Sequence, residues 1–160
     1  TWSKEKLLLR TIYVGLCVAA IFLCKAILDQ IPLRIGALSV LLLLVISSYV
    51  LFKRSPKQSA HLIVFCVYLG LNISIYTHGG FTSMGITAMF VPAVVALLLI
   101  GAKAGHAWVV VTFLTILFYF SLNASGVLLP VLTEVKNLMV HRLLGLLVLS
   151  GGSYLLGFTV

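Results

Sequence analysis

Hydrophobic residues occur in long runs along this chain, and short polar segments separate the runs. The apolar runs cover residues 11–28, 35–52, 60–76, 84–100, 107–122 and 143–160. Each run, with its flanking residues, approaches the roughly 20 residues that a helix needs to cross the hydrocarbon core of a bilayer. Because unpaired backbone is not tolerated in lipid, the pattern predicts helices joined by turns. We therefore expect an all-α polytopic membrane protein, a bundle of six transmembrane helices.

The composition supports a membrane environment. Hydrophobic residues make up 62% of the chain and charged residues 9%, and the mean hydropathy is +1.23. A water-soluble domain needs a surface that is about a quarter to a third charged, so a soluble fold is excluded. The net charge of +8 is interpreted as an excess that sets orientation and contacts anionic headgroups. The expected partner is the lipid bilayer, and nucleic acid is not expected.

Basic residues in the turns predict the orientation of the bundle. With a cytoplasmic amino terminus, the inner side holds Lys4, Lys6, Arg10, Lys53, Arg54, Lys57 and Lys103. The outer side then holds Lys25, Arg34, Lys136 and Arg142. This excess of basic residues inside favours cytoplasmic amino and carboxyl termini. The last run ends at Val160 without a basic anchor, which we interpret as the end of the membrane part of a longer protein.

The sequence contains no recognisable catalytic constellation, metal site or cofactor motif. The three acidic residues, Glu5, Asp29 and Glu134, fall at the ends of the runs or between them. Lys25 is close enough to the outer end of its predicted helix to reach the headgroups. Ion-coupled transporters usually keep a carboxylate or an ion pair at membrane depth. We expect none here, which counts against a transporter.

Polar residues recur at helical spacing in the third and fifth runs. The third run carries Tyr68, Asn72 and Tyr76, and the fifth carries Trp108, Thr112, Thr115, Tyr119 and Asn123. One interpretation is hydrogen bonding between helices, at about 0.6 kcal/mol per bond. The other is a pocket for a small amphiphilic molecule at the outer end. The candidate sensing residues are Tyr76, His78, Tyr119 and Asn123.

Glycine and proline residues predict turns, a hinge and a packing face. Gly79 and Gly80 permit a reversal with positive φ, which predicts a short loop between the third and fourth spans. Pro92 lies in the middle of the fourth run, where it should kink the helix. The last run carries a stripe of small residues that allows close helix approach and could transmit a signal. This stripe comprises Gly145, Gly152, Ser153 and Gly157.

The middle of the chain carries an aromatic residue at the end of the third run, a Gly-Gly pair and a Ser between the third and fourth runs, a Pro in the fourth run, and the segment Gly-Ala-Lys-Ala-Gly-His-Ala-Trp before the fifth. This combination resembles the membrane-sensor region of multi-span bacterial sensor histidine kinases. That group carries an aromatic residue, a Gly-Gly pair and a Ser at an outer turn, a proline in the next helix, and a Gly-basic-x-Gly inner loop leading to an aromatic residue. The matching positions are Tyr76, Gly79, Gly80, Ser83, Pro92 and the segment from Gly101 to Trp108. A proline commonly follows the serine in that group, whereas Met84 follows it here.

The resemblance implies a six-helix input domain of a histidine protein kinase in the bacterial cytoplasmic membrane. A helical linker, a dimerisation and phosphoacceptor domain, and an ATP-binding domain would follow Val160. ATP and Mg would bind in that region, the full-length protein would be a homodimer, and a cytoplasmic response regulator would be its partner. Similar sensor regions are also joined to diguanylate cyclases. The alternatives are a small transporter or transporter subunit, and a structural anchor for a cytoplasmic enzyme.

Overall fold

The computed structural model describes residues 3–80 and 83–127, and it is all-helical in these residues. It contains α1 (Lys4–Leu28), α2 (Pro32–Phe52), α3 (Pro56–Thr77), α4 (Val91–Leu99) and α5 (Ala102–Ala124). A 3₁₀ helix, Met84–Ile86, precedes α4. The prediction of an all-α fold is thus confirmed for the described part of the chain. The predicted sixth helix, 143–160, lies outside the described residues, as do Gly145, Gly152, Ser153 and Gly157.

Within the described residues, four helices are long and apolar enough to cross a membrane. They are α1, α2, α3 and α5, with 25, 21, 22 and 23 residues respectively. Each is longer than the apolar run that predicted it, because polar residues also take part in the end turns. The hydroxyl of Ser3, for example, accepts a hydrogen bond from the backbone N–H of Lys6, which lets α1 begin at Lys4. The protein is a helical bundle suited to a lipid bilayer.

Short turns make α1, α2 and α3 antiparallel neighbours. Residues 29–31 join α1 to α2, and residues 53–55 join α2 to α3. Pro32 and Pro56 are the first residues of α2 and α3. Proline is favoured there because its missing N–H would have no partner within the helix. The turn 29–31 therefore lies at the same end of the bundle as His78, which we call the His78 end. The turn 53–55 lies at the other, the Lys53 end.

Two hydrophobic clusters hold the described helices together. The larger cluster joins α1, α2, α3 and α4 and includes Ile12, Val45, Ile63 and Ala96. The smaller one, Ile75, Met89 and Tyr119, joins α3, the segment before α4, and α5. α5 packs mainly against α4. The remaining surface of α5 carries large exposed apolar side chains, as expected of a helix surface that faces lipid. They include Val110, Phe113 and Phe118.

The prediction of a continuous fourth helix over residues 84–100 is wrong. The α-helix begins only at Val91 and has nine residues, so it spans about 14 Å. The residues before it form 3₁₀-type backbone bonds instead, such as Ile86 N–H to the Ser83 carbonyl at 3.2 Å and Val91 N–H to the Ala88 carbonyl at 3.0 Å. This segment is largely covered by protein, which is the condition for irregular backbone at membrane depth.

The predicted kink at Pro92 is wrong as well. Pro92 lies in the first turn of α4, where a proline removes no intrahelical hydrogen bond, and it is fully buried. The positive φ predicted for Gly79 and Gly80 is confirmed, with values of 89° and 66°. The short loop that they were expected to form is not found, because residues 78–90 separate α3 from α4.

Candidate functional site at the His78 end

A buried group of charges joins the end of α1 to the start of α2. Lys25 Nζ lies 2.7 Å from Asp29 Oδ2, and Arg34 Nη1 lies 3.9 Å from the same oxygen. The side chains of Lys25, Asp29 and Arg34 are 11%, 10% and 2% exposed. We call these three residues the charge cluster. Removing ions from water is costly, so a buried carboxylate that contacts two cations is strongly constrained in position.

The local backbone explains why these charges meet. Lys25 and Asp29 are one helical turn apart, so their side chains share a face of α1. Gln30 follows with φ of 52°, in the left-handed region, and reverses the chain. α2 then begins at Pro32, which places Arg34 in its first turn. Lys25 and Asp29 lie at the end of α1, where the sequence pattern placed them, but their pairing in a largely buried position was not predicted.

His78 is buried next to the charge cluster. Its Nδ1 lies 2.7 Å from the backbone carbonyl oxygen of Ser74. Because that oxygen can only accept, Nδ1 carries the proton and donates a hydrogen bond to it. Burial lowers the pKa of His78. The bond to Ser74 opposes this shift, the positive charges of Arg34 and Lys25 lower the pKa further, and Asp29 raises it. The imidazole is therefore held neutral at pH 7, facing a group of charges from α1 and α2.

The two polar stripes predicted from the sequence meet between α3 and α5. Tyr119 Oη donates to Asn72 Oδ1 at 3.2 Å. Tyr68 Oη lies 2.8 Å from Thr115 Oγ1, whose own proton goes to the Val111 carbonyl, so Tyr68 is the donor. These bonds fit the interpretation of the stripes as hydrogen bonding between helices. They also link the C-terminal half of α3 to α5 through side chains.

The four predicted sensing residues divide into two pairs. Tyr119 and His78 are both 7% exposed, and the bonds described above join them to Asn72 and Ser74. Tyr76 is 44% exposed, and Asn123 is also exposed. All four lie toward the His78 end, because α3 and α5 both finish there. The buried pair is held in place by neighbouring helices, and the exposed pair is accessible from outside the bundle.

Sequence reasoning missed the charge cluster as a candidate site. Its signal was present as opposite charges at Lys25 and Asp29, four residues apart, followed by Arg34 just beyond a turn. Asn72 was recognised only as one member of a stripe, whereas it accepts from Tyr119 and donates through Nδ2 to the Tyr68 carbonyl at 2.9 Å. Within residues 3–80 and 83–127, no three His, Cys, Asp or Glu side chains lie close enough together to hold a metal ion.

Comparison with known protein families, with curated proteins and with solved structures found no match for this chain.

Proposed function

We propose that this chain is the membrane-embedded input domain of a two-component sensor histidine kinase. The observation that carries the proposal is the meeting of α1, α2 and α3 at the charge cluster and His78. A stimulus that changes protonation or binding there acts on three helices at once. The resemblance of residues 76–108 to the membrane-sensor region of such kinases supports a histidine kinase as the output domain. In this proposal the segment has no catalytic residues of its own.

The four sensing residues have distinct roles in this proposal. Tyr76 and Asn123 are exposed and make the first contact with a small amphiphilic molecule. His78 and Tyr119 are buried and connect that contact to the bonds inside the bundle. A ligand shifts the output only by its different affinities for two arrangements of the helices, and a coupling of about 1–3 kcal/mol is typical. Gly79 and Gly80 provide the turn beside these residues.

The output half of the proposal concerns the rest of the full-length protein. The signal leaves through the last predicted helix, with Gly145, Gly152, Ser153 and Gly157 as its packing face. A homodimeric kinase that uses ATP and Mg then passes a phosphoryl group to a response regulator. The protein lies in the bacterial cytoplasmic membrane with both termini in the cytoplasm. The same input domain joined to a diguanylate cyclase is the alternative within this class.

A small transporter, or a subunit of one, is the second candidate, and two observations favour it. The charge cluster is a largely buried ion pair, which is a feature of ion pathways. The fourth span is also broken into a 3₁₀ helix and the short α4, and discontinuous helices often surround transported substrates. Against it, Asp29 lies at the C-terminal cap of α1, at the end of the helix and not at its middle.

One experiment separates these candidates. The full-length product of the gene is reconstituted in proteoliposomes and incubated with labelled ATP and Mg. The sensor proposal expects an acid-labile phosphohistidine in the full-length protein. The same proteoliposomes are then tested for proton flux with a pH-sensitive dye in their lumen. Flux without phosphohistidine would replace the sensor proposal with the transporter.

A further inference from the structure

Two basic and two aromatic residues form a patch at the Lys53 end, on α1 and α2. The rings of Tyr13 and Tyr49 pack with their centroids 6.0 Å apart and their planes tilted by 45°. Lys53 Nζ lies 5.6 Å from the centroid of the Tyr49 ring. Arg10 precedes Tyr13 by three residues and shares its face of α1. We call Arg10, Tyr13, Tyr49 and Lys53 the tyrosine patch.

The tyrosine patch lies on the outside of the bundle that the described helices form. Arg10 and Lys53 are exposed, Tyr13 is 50% exposed, and Tyr49 is half-buried. Exposed tyrosines with basic residues at the ends of membrane helices lie at the depth of the lipid headgroups. Ile46, one helical turn before Tyr49 on the same face of α2, is 44% exposed and continues the surface toward the hydrocarbon.

The described residues at the Lys53 end make it strongly basic. Further exposed basic residues at this end are Lys4, Lys6, Arg54, Lys57 and Lys103. Among the described residues, Glu5 is the one acidic residue at this end. A positive surface of this kind attracts anionic lipid, and a basic site between helices can hold one headgroup in place. The paired phenols give the tyrosine patch a fixed shape that the other basic residues lack.

We propose that the tyrosine patch is a binding site for one anionic phospholipid. The phosphate lies between Arg10 and Lys53, and an acyl chain runs along α2 past Ile46. The hydroxyls of Tyr13 and Tyr49 hydrogen-bond to each other, which leaves one phenol proton to donate to a headgroup oxygen. The apolar continuation at Ile46 favours a lipid over a free anion, because inorganic phosphate gains nothing from that surface. The site is independent of the sensing proposal, because it lies at the opposite end of the bundle.

The test compares matched variants of the full 160-residue chain. The purified protein in non-ionic detergent is titrated with phosphatidylglycerol or phosphatidylcholine, and native mass spectrometry gives the apparent Kd of the first bound lipid. Each basic residue near an anionic surface contributes about fivefold, so Arg10→Gln with Lys53→Gln should weaken phosphatidylglycerol binding by about 25-fold. Arg54→Gln with Lys103→Gln removes the same charge outside the tyrosine patch, and it should weaken binding by less than about threefold.

A second variant tests the hydroxyls without changing the charge. Tyr13→Phe with Tyr49→Phe keeps the ring packing and should weaken phosphatidylglycerol binding by about fivefold. Phosphatidylcholine binding should stay unchanged in every variant. If the two charge-removing variants lost the same affinity for phosphatidylglycerol, the lipid would be attracted by the overall positive charge and not by the tyrosine patch, and the proposed site would be overturned. Normal binding in the phenylalanine variant, or equal affinity of the parent protein for both lipids, would overturn it as well.

Discussion

Arg34 Nη1 lies 3.9 Å from Asp29 Oδ2, and this contact joins the start of α2 to the end of α1. Lys25 approaches the same oxygen at 2.7 Å, so one carboxylate lies between two cations from different helices. With the Arg34 side chain 2% exposed, water cannot replace the carboxylate. The geometry of this end of the bundle therefore depends on the charge of Asp29.

Neutralising Asp29 should destabilise the protein. In Asp29→Asn, Lys25 and Arg34 remain buried without the carboxylate between them, and breaking a buried ion pair from one side costs about 3–5 kcal/mol. The free energy of unfolding in mixed micelles, followed by helical circular dichroism during titration with a denaturing detergent, measures this loss. Glu5→Gln removes an equal charge from an exposed position and should leave the unfolding free energy unchanged. Equal stability of the two variants would show that the charge cluster is not structurally important.

Acidification should destabilise the protein through His78. Burial lowers the folded pKa of His78 below the ordinary value of 6.5 and outweighs the bond to Ser74, which raises it. The positive charges of Arg34 and Lys25 lower this pKa further, and the negative charge of Asp29 raises it. Well above pH 6.5 the imidazole is neutral in both the folded and the unfolded state, so stability does not depend on its protonation. As the pH falls through 6.5, the unfolded state binds the proton more readily, so stability is lost until the folded pKa is passed.

The control for this pH dependence is a second histidine. We expect His78→Gln to remove part of the fall in melting temperature between about pH 7.5 and 5, the range around the ordinary pKa of histidine. His106 is exposed at the Lys53 end, so His106→Gln should keep the parent profile. An unchanged profile in His78→Gln would show that His78 does not titrate differently in the folded protein.

Gly85 should be intolerant of a side chain. A Cβ at this position would lie 2.7 Å from Cγ1 of Ile75, which is fully buried. Overpacking of this kind costs about 1–3 kcal/mol, so Gly85→Ala should lower the unfolding free energy by that amount. A Cβ at Gly36, within α2, meets nothing within 4 Å. Gly36→Ala should therefore be neutral or stabilising by up to about 1 kcal/mol. The opposite order of the two stabilities would contradict the packing around Ile75.

The hydroxyl of Tyr119 separates the two interpretations of the polar stripes. Tyr119→Phe removes the bond to Asn72 and should lower the unfolding free energy by about 0.6 kcal/mol. Tyr76→Phe removes an exposed hydroxyl and should leave stability unchanged. If these residues sense a ligand, both variants should alter signalling by the full-length protein in response to its native stimulus. A normal response in both would leave hydrogen bonding between helices as their whole role.

The sequence predicted the helices well wherever hydrophobicity alone determined them. α1, α2, α3 and α5 correspond to apolar runs that were visible without a structure, and the polar stripes of α3 and α5 do meet. The prediction failed at the fourth span. Residues 84–90 are as hydrophobic as the residues of a membrane-spanning helix, yet they form 3₁₀-type backbone bonds and are largely covered by neighbouring helices. The wrong prediction of a kink at Pro92 has the same cause, because the helix begins just before this residue and not seven residues earlier. The burial of Arg34 was missed because it depends on how the turn 29–31 returns α2 to α1.

In the proposed sensor, the charge cluster and His78 control an output on the other side of the membrane. Autophosphorylation of the full-length protein in proteoliposomes, measured for the parent, Asp29→Asn and Lys103→Gln, tests this claim most directly. Lys103 is exposed at the Lys53 end, opposite the charge cluster. We therefore expect the parent and Lys103→Gln to be phosphorylated alike and to respond to the native stimulus. We expect Asp29→Asn to insert in the membrane but to have a constant, stimulus-independent level of phosphorylation. A stimulus response in Asp29→Asn equal to that of the parent, or no phosphohistidine in the parent, would contradict this claim.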